Sequence, residues 1–434
     1  MSDLERLVTP IPGPASRAAA ARLRAAESRG ITFLGDDYPV FWQSASGATV
    51  IDVDGNQYLD LTSAFGVAAV GHSNPLIARA IAEQACTLMH GMGDVHPTDV
   101  RTQLVERLAA SAPIDDGRVF LCSTGAEAVE CALKTAALAT GEPNVLAFGG
   151  AYHGLSYGAL EVCGIPKFRK PWQRQLREST SFVPFPDMRD RHSLEMALQR
   201  VERGLRRQRA VGALICEPIQ GRAGIIIPPD GFLAGLRALC TRYDTVLIVD
   251  EIYTGLGRTG SWFVCEREGV RPDIICVGKA LGGGFPISAA IGCSSVMDAW
   301  QPSTGEALHT STFLGNPMGC AAALAALDEF DRLDLCRAAQ RIGERLAVAL
   351  QQIALLPAVR GARGRGALWA LEMRDGDLAR SVVVQALARG LMLVQAGLRG
   401  EVVAIAPPLI IEHDQLERAL TILEDVVRAQ AAAL

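Results

Sequence analysis

Between about residue 100 and residue 325 the chain repeats one pattern: a short unbroken apolar run, then a longer stretch with apolar positions three and four apart. The short runs "RVFLC", "NVLAF", "VGALICE", "TVLIVD", "IICV" and "SAAIGC" predict buried strands. The longer stretches "AEAVECALKTAALAT", "HSLEMALQRVERGLRRQ", "FLAGLRALCTRY" and "NPMGCAAALAALDEFD" predict amphipathic helices between them. Such alternation predicts an α/β fold whose large domain holds a mostly parallel central sheet flanked by helices.

The ends of the chain read differently. "ASRAAAARLRAAES" has helical spacing, and "GATVIDVDGNQYLDL" alternates about an Asp54-Gly55 turn, which predicts a hairpin. "NPLIARAIAEQACTLM" predicts a helix capped by Asn74 with Pro75 in its first turn. After "DRLDL" the pattern shifts to long Ala/Leu/Arg helices and shorter strands, ending in the helix "HDQLERALTILEDVVRAQ". The expected division is a large domain over 61–325 and a smaller α/β domain built from 1–60 and 326–434.

Composition narrows the function classes. The 434 residues are 49% hydrophobic, enough to bury a large core, and the net charge of -5 points to neither nucleic acid nor a membrane surface. The basic runs "KFRKPWQR" (167–174) and "RGLRRQR" (203–209) read as solvated faces. No apolar run approaches the ~18 residues a membrane span needs, and the acidic "MSDLERLVTP" lacks the apolar core of a signal peptide. The eleven cysteines form no C-x-x-C pair. An odd number of thiols within apolar patterns reads as reduced core cysteines of a cytoplasmic protein, without disulfides or metal.

Ligands of parallel α/β sheets bind at the carboxyl ends of the strands, and three features fall there. Ser123, Thr124, Gly125 and Ala126 link a strand to a helix start. Backbone amides and hydroxyls there suit a phosphate, although the same stretch also reads as a well-capped helix. Asp250 closes "TVLIVD", where an acid is costly to bury without a cation or donor; it also reads as the first loop residue. Lys279 follows "IICVG" and precedes Gly282, Gly283 and Gly284. Of the four lysines, Lys134, Lys167, Lys170 and Lys279, only Lys279 has surroundings apolar enough to lower an amine pKa and activate it. A phosphate cradle, a buried acid and a desolvated lysine on one edge suggest a phosphorylated aldehyde held as an imine. Pyridoxal 5'-phosphate (PLP) fits each part.

The stretches "DVDGNQYLDL", "GHSNP", "STGAEAVECALK", "AYHG", "EPIQG", "VDEIYTGLGRTG", "VGKALGGGFP" and "TSTFLGNP" occur in that order. They resemble the class III aminotransferases of fold-type I, the family of ornithine and 4-aminobutyrate aminotransferases, over nearly the whole chain. The resemblance implies a PLP-dependent transferase that moves an amino group from an amine or amino acid donor to a keto or aldehyde acceptor. It implies that Lys279 is the Schiff-base lysine and proton carrier, and that Asp250 keeps the pyridine nitrogen protonated. Tyr152 and Ile252 would cover the two ring faces, with His153 and Tyr253 beside them and Glu217 lining the substrate side. Ser123, Thr124, Gly125 and Ala126 would hold the phosphate. Thr312 would join them from the neighbouring subunit of a homodimer. Side chains at Gly282–Gly284 are expected to crowd the lysine.

Two positions depart from the family pattern. Many members have an arginine directly after the aromatic-His-Gly motif and another three residues before "PPL"; here these are Leu155 and Ala404. Neither can grip a carboxylate, and Arg222 after "EPIQG" is a possible replacement. "GLGRTG" (255–260) matches the dinucleotide-binding G-x-G-x-x-G, but "EIYT" separates it from the strand and "SWFVCERE" is a poor following helix. Amino acid racemases, epimerases and aminomutases share the same cofactor motifs and remain the alternative.

Overall fold

The helix Pro14–Ala26 is held at its start by Asp54, whose carboxylate accepts from the amides of Ala15 (2.6 Å) and Ser16 (2.8 Å). Asp54 stands at the turn of the expected hairpin, β2 (Thr49–Asp52) and β3 (Gln57–Asp60), which a preceding strand β1 (Trp42–Ser46) extends. The computed structural model of the chain describes residues 6–207 and 211–432. The first residues of the acidic N-terminus and the end of the 203–209 basic run lie outside the described residues.

The central sheet has seven strands: β4 (Gly117–Cys122), β5 (Asn144–Phe148), β6 (Thr180–Val183), β7 (Val211–Cys216), β8 (Val246–Asp250), β9 (Ile274–Val277) and β10 (Ser288–Cys293). Their order is β4-β10-β9-β8-β7-β5-β6, and only β10 runs antiparallel to its neighbours. The carboxyl ends of the other six therefore share one edge with the first residue of β10. Strands β7, β8 and β9 are buried throughout, which is why they read as continuous apolar runs. Ile215, Ile248 and Ile274 pack with Val129, Ala132 and Ala136 of the helix Gly125–Thr140. Burying one such side chain is worth roughly 1.5–3 kcal/mol. The helix is thereby fixed to the sheet with its first turn at the carboxyl edge.

Five strands follow: β11 (Val359–Arg365), β12 (Leu368–Met373), β13 (Leu391–Met392), β14 (Val394–Ala396) and β15 (Val402–Ile405). They form a second sheet, β11-β12-β15-β14, while β13 joins the first hairpin in β1-β2-β3-β13. The chain ends in the helix His413–Ala432.

Contacts divide the chain into one unit of the residues up to Asn74 with those from Arg341 on, and a second unit of Pro75–Gln340. Both boundaries fall later in the chain than the expected 60/61 and 325/326. Hydrogen bonds explain the first: Leu61 accepts from the amide of Ala406, Ala69 from Leu409 and Gly47 from His72. His72 Nε2 also bonds Asp60 at 2.7 Å. Residues 61–74 thus belong with the C-terminal strands. The second boundary moves because the large unit holds Gly319 against Phe285 and Ile287, Leu335 and Cys336 against Gly257, and Gln340 by its 2.6 Å side-chain bond to the Gly260 carbonyl.

Candidate active site

Asp250 is the last residue of β8 and is buried. Its Oδ2 accepts from Nδ1 of His153 at 2.7 Å and its Oδ1 from the amide of Ile252 at 3.0 Å. His153 lies beyond the end of β5 and is itself buried. Burial penalises the imidazolium, but the hydrogen bond and charge of Asp250 outweigh it and hold the His153 pKa above its ordinary value. The other ring nitrogen, Nε2, is buried without a partner among the described residues. A buried donor left unmatched costs about 1–3 kcal/mol, so the site as built by the protein awaits a further polar group.

Lys279 follows β9 after Gly278 and begins a short 3-10 turn. Its φ of 34 is a left-handed conformation that non-glycine residues rarely hold, and such strain collects at functional sites. Its Nζ lies 4.6 Å from the centre of the Tyr253 ring. The residue is half-buried as a whole. Desolvation of its amine lowers the pKa below the ordinary lysine value, against the pull of Asp250 and Glu217.

Glu217 directly follows β7. Its Oε1 accepts from the amide of Tyr152 (2.8 Å) and its Oε2 from that of Gly221 (2.9 Å). One carboxylate thus ties the segments after β5 and β7 together. Burial pushes its pKa up to about 7. Tyr152 sets its ring edge-on to Phe168 at 5.6 Å. Ile252 stands over the start of the helix Gly125–Thr140, where a Cβ on Gly125 would come within 2.8 Å of its Cδ1.

That helix start carries a capping box. The amides of Ser123 (2.8 Å) and Thr124 (3.1 Å) donate to Glu127 Oε2, and Glu127 donates its amide to the Thr124 hydroxyl. The Thr124 carbonyl accepts from Ser288, the first residue of β10. The amides of Gly125 and Ala126 remain, first-turn donors for which no intrahelical acceptor exists. They suit an anion, favoured further by the helix dipole. All of these residues belong to the Pro75–Gln340 unit. Thr312 lies in the same unit but is exposed, in a turn closed by the bond from the Leu314 amide to the Ser311 carbonyl.

Three features escape a reading of the sequence. The His153–Asp250 pair spans 97 positions, and nothing local signals it. Glu251 is buried beside Asp250, accepts from the Cys265 amide and the Thr254 hydroxyl, and has its pKa pushed up to about 7 by burial. Its place next to Asp250, between the apolar run "VLIV" and the uncharged "IYTGLG", is the available signal. The glycines after Lys279 need a corrected reason: they do not make room for the lysine. A Cβ on Gly282 would lie 2.9 Å from Ile287, while Gly283 and Gly284 hold φ values of 55 and 121, and Gly284 has open space around it.

Gly154 follows His153 with φ 122, and a Cβ there would come within 2.6 Å of that of Ala126. Gly154→Ala combines backbone strain with overpacking at the anion-binding turn, and we expect a loss of roughly 2–4 kcal/mol in chemical denaturation. An unchanged midpoint would show that the turn is not held as described.

These residues, an activated amine, a buried acid and free amides at a helix start, fit PLP. The family described as Aminotransferase class-III matches residues 34–427. The chain belongs to the class III aminotransferases. It is 38% identical to the acetylornithine aminotransferase of Methanopyrus kandleri over 90% of this chain and 95% of that one. It is 36% identical to the putrescine aminotransferase of Pectobacterium atrosepticum over 92% and 85%. The ornithine aminotransferase of Toxoplasma gondii superposes with a TM-score of 0.85 at 30% identity, covering 95% of this chain and 94% of that one. A PLP-bound amine transaminase from an uncultivated Pseudomonas species does so at 0.85 and 28%, covering 93% and 99%. The fold is that of fold-type I PLP transaminases, as the motifs imply. The protein is a PLP-dependent aminotransferase that acts on an amino donor and a keto or aldehyde acceptor. Among the described residues no helix is long and apolar enough to cross a membrane, and no cluster of three or more His, Cys, Asp or Glu could hold a metal ion.

Proposed function

We propose that Lys279 is the residue that binds the cofactor aldehyde and carries the proton during transamination. The observation that carries this reading is the position of Lys279 just after β9, at the strand edge where Asp250 and the Gly125–Ala126 amides also lie, with burial of its amine acting to lower its pKa. When bound, PLP supplies an aldehyde that condenses with amines and a pyridine ring that takes up electrons from Cα. Lys279 Nζ, neutral for a larger share of the time than an ordinary lysine, would be the base that takes the substrate Cα proton and delivers it to the carbon that bore the cofactor's aldehyde. Asp250 would accept a hydrogen bond from the protonated ring nitrogen, and His153 orients that carboxylate through its 2.7 Å bond. Gly125 and Ala126, with the hydroxyls of Ser123 and Thr124 near them, bind the phosphate. Tyr152 and Ile252 cover the ring, Tyr253 holds the Lys279 amine over its face, and Glu217 braces the substrate side.

The active unit in this reading is a two-fold dimer, with Thr312 reaching the phosphate of the adjacent subunit. Leu88, Met89, Met92, Val95, Leu308 and Phe313 are all exposed large apolar residues. The two segments that carry them meet, through the Phe313–His90 ring contact and the bond from Asn316 to the Met89 carbonyl. An exposed apolar patch of this kind supports a protein partner, and a second copy is the one the Thr312 reading requires. Sedimentation of the PLP-saturated enzyme is expected to give a dimer, and an active monomer would refute it. Thr312→Ala should weaken PLP binding by about 1.5–3 kcal/mol. All eleven cysteines are free thiols, which supports a reducing, cytoplasmic setting.

The test of the reading is a spectroscopic screen of amines and amino acids for conversion of the bound cofactor to its aminated form, with the keto product identified. Racemisation of one amino acid with no keto acid formed would overturn it.

A further inference from the structure

Transamination needs an acceptor, and a keto acid acceptor carries a carboxylate that an apolar pocket cannot hold. The two positions where arginine is expected are Leu155, an exposed side chain, and Ala404, buried within β15. Neither can donate a hydrogen bond from its side chain. Lys279 is occupied by the chemistry itself. Another cation is needed at the rim of this site.

Arg222 stands there. It sits at the tip of a tight turn, where Gln220 and Ile226 exchange backbone hydrogen bonds (3.1 and 3.0 Å) and Gly221 accepts from the amides of Gly224 and Ile225. The turn is anchored from below. Gly221 donates its amide to Glu217 at 2.9 Å, and the Gln220 side chain donates to the Gly149 carbonyl at 2.9 Å. Gly221 lies so close to Tyr253 that a Cβ would come within 2.5 Å of its ring, the ring on which the Lys279 amine rests. Because the same Glu217 carboxylate binds Tyr152, the turn carrying Arg222 is clipped beside Tyr152 as well. The positive charge of Arg222 is felt at the Tyr152 hydroxyl, where it opposes the rise in pKa caused by burial. Arg222 is exposed, and its guanidinium makes no ion pair or hydrogen bond among the described residues. A fixed backbone carrying an uncommitted guanidinium is what bidentate recognition of a carboxylate needs.

We propose that Arg222 binds the substrate carboxylate, so that at least one half-reaction uses a carboxylic acid and its keto acid acceptor is held by this residue. This rests on the aminotransferase reading of the Lys279 site. Arg222 thereby selects between acids and neutral carbonyl compounds, and replaces in function the arginines that Leu155 and Ala404 do not provide.

The test compares the wild-type holoenzyme with Arg222→Gln and Arg222→Lys. The aminated enzyme is mixed with pyruvate or 2-oxoglutarate in one series and with butanal in another, and the return of the aldehyde form is followed by absorbance. Arg222→Gln is expected to lower kcat/KM for the keto acid it normally uses by about 10- to 100-fold, through KM, and to leave butanal within about twofold. Arg222→Lys should recover part of the loss, because a point charge lacks the planar fork. Binding of glutarate, an unreactive dicarboxylate, to the holoenzyme by calorimetry should weaken by a similar factor. Equal losses for keto acid and aldehyde would show that Arg222 only supports the turn, and unchanged keto acid kinetics would show that it does not touch the carboxylate. Either result overturns the proposal. Failure of the aminotransferase reading is distinguishable, since no amine would then convert the wild-type cofactor at all.

Discussion

Lys279→Ala is expected to fold, to keep its stability within roughly 1 kcal/mol of the parent, and to lose transamination by about 10²–10⁴-fold. Alanine keeps the Cβ, so the backbone strain at φ 34 is unchanged. What disappears is the desolvated amine. Borohydride reduction of the parent enzyme should fix the cofactor to the chain, and peptide mapping should find the label on Lys279. Lys134 donates its amine to Nδ1 of His309 at 2.8 Å, which commits it elsewhere. Lys167, in the short helix Pro166–Arg169, and Lys170, at the start of the 3-10 helix that follows, are exposed. A label on any of these three, or wild-type turnover by the variant, would remove the basis of the mechanism.

Asp250→Asn should lower kcat by about 10²–10³-fold, the range for removing one preorganised electrostatic group from a reacting centre. It has a second readout independent of turnover. In the parent, Asp250 holds the His153 pKa above its ordinary value although burial acts the other way. A histidine raised in the folded state adds stability that is complete below its unfolded pKa of about 6.5 and is lost as pH rises through the folded value. Without the carboxylate, burial is opposed only by the charge of Glu217, and the His153 pKa should fall from its raised value. The stability gap between parent and variant should therefore be wide below pH 6.5, on the order of 1–3 kcal/mol, and narrow as pH rises through the raised His153 value. Denaturation midpoints across that range measure it. A gap that widens with pH would contradict the pairing.

The strands of the central sheet are legible because β7, β8 and β9 bury both faces, and a strand with no solvent side shows as an unbroken apolar run. β6 (Thr180–Val183) is not legible. It is an edge strand, mostly half-buried, and "TSFV" carries too little apolar signal to stand out from the loop before it. β1 escapes for the same reason: "WQSAS" is exposed along most of its length. Asp250 and Lys279 are legible as residues because each interrupts or follows an apolar run at a strand end, where a charge needs a reason.

What the sequence determines by itself is thus local and periodic. It determines which segments are strands and helices, which polar residues close them, and which ordered motifs mark the family. Those follow from burial repeating every two or three to four positions within one element. Only the tertiary structure decides which of these ends meet. It brings His153 to Asp250 from 97 positions away and sets one Glu217 carboxylate between Tyr152 and Gly221. It gives residues 61–74 to the C-terminal strands through Leu61–Ala406 and Ala69–Leu409. A hydrogen bond between distant segments leaves no period in either of them. Its partner is selected by sheet order and by the cost of leaving a buried donor or acceptor unpaired, and both exist only once the chain is folded.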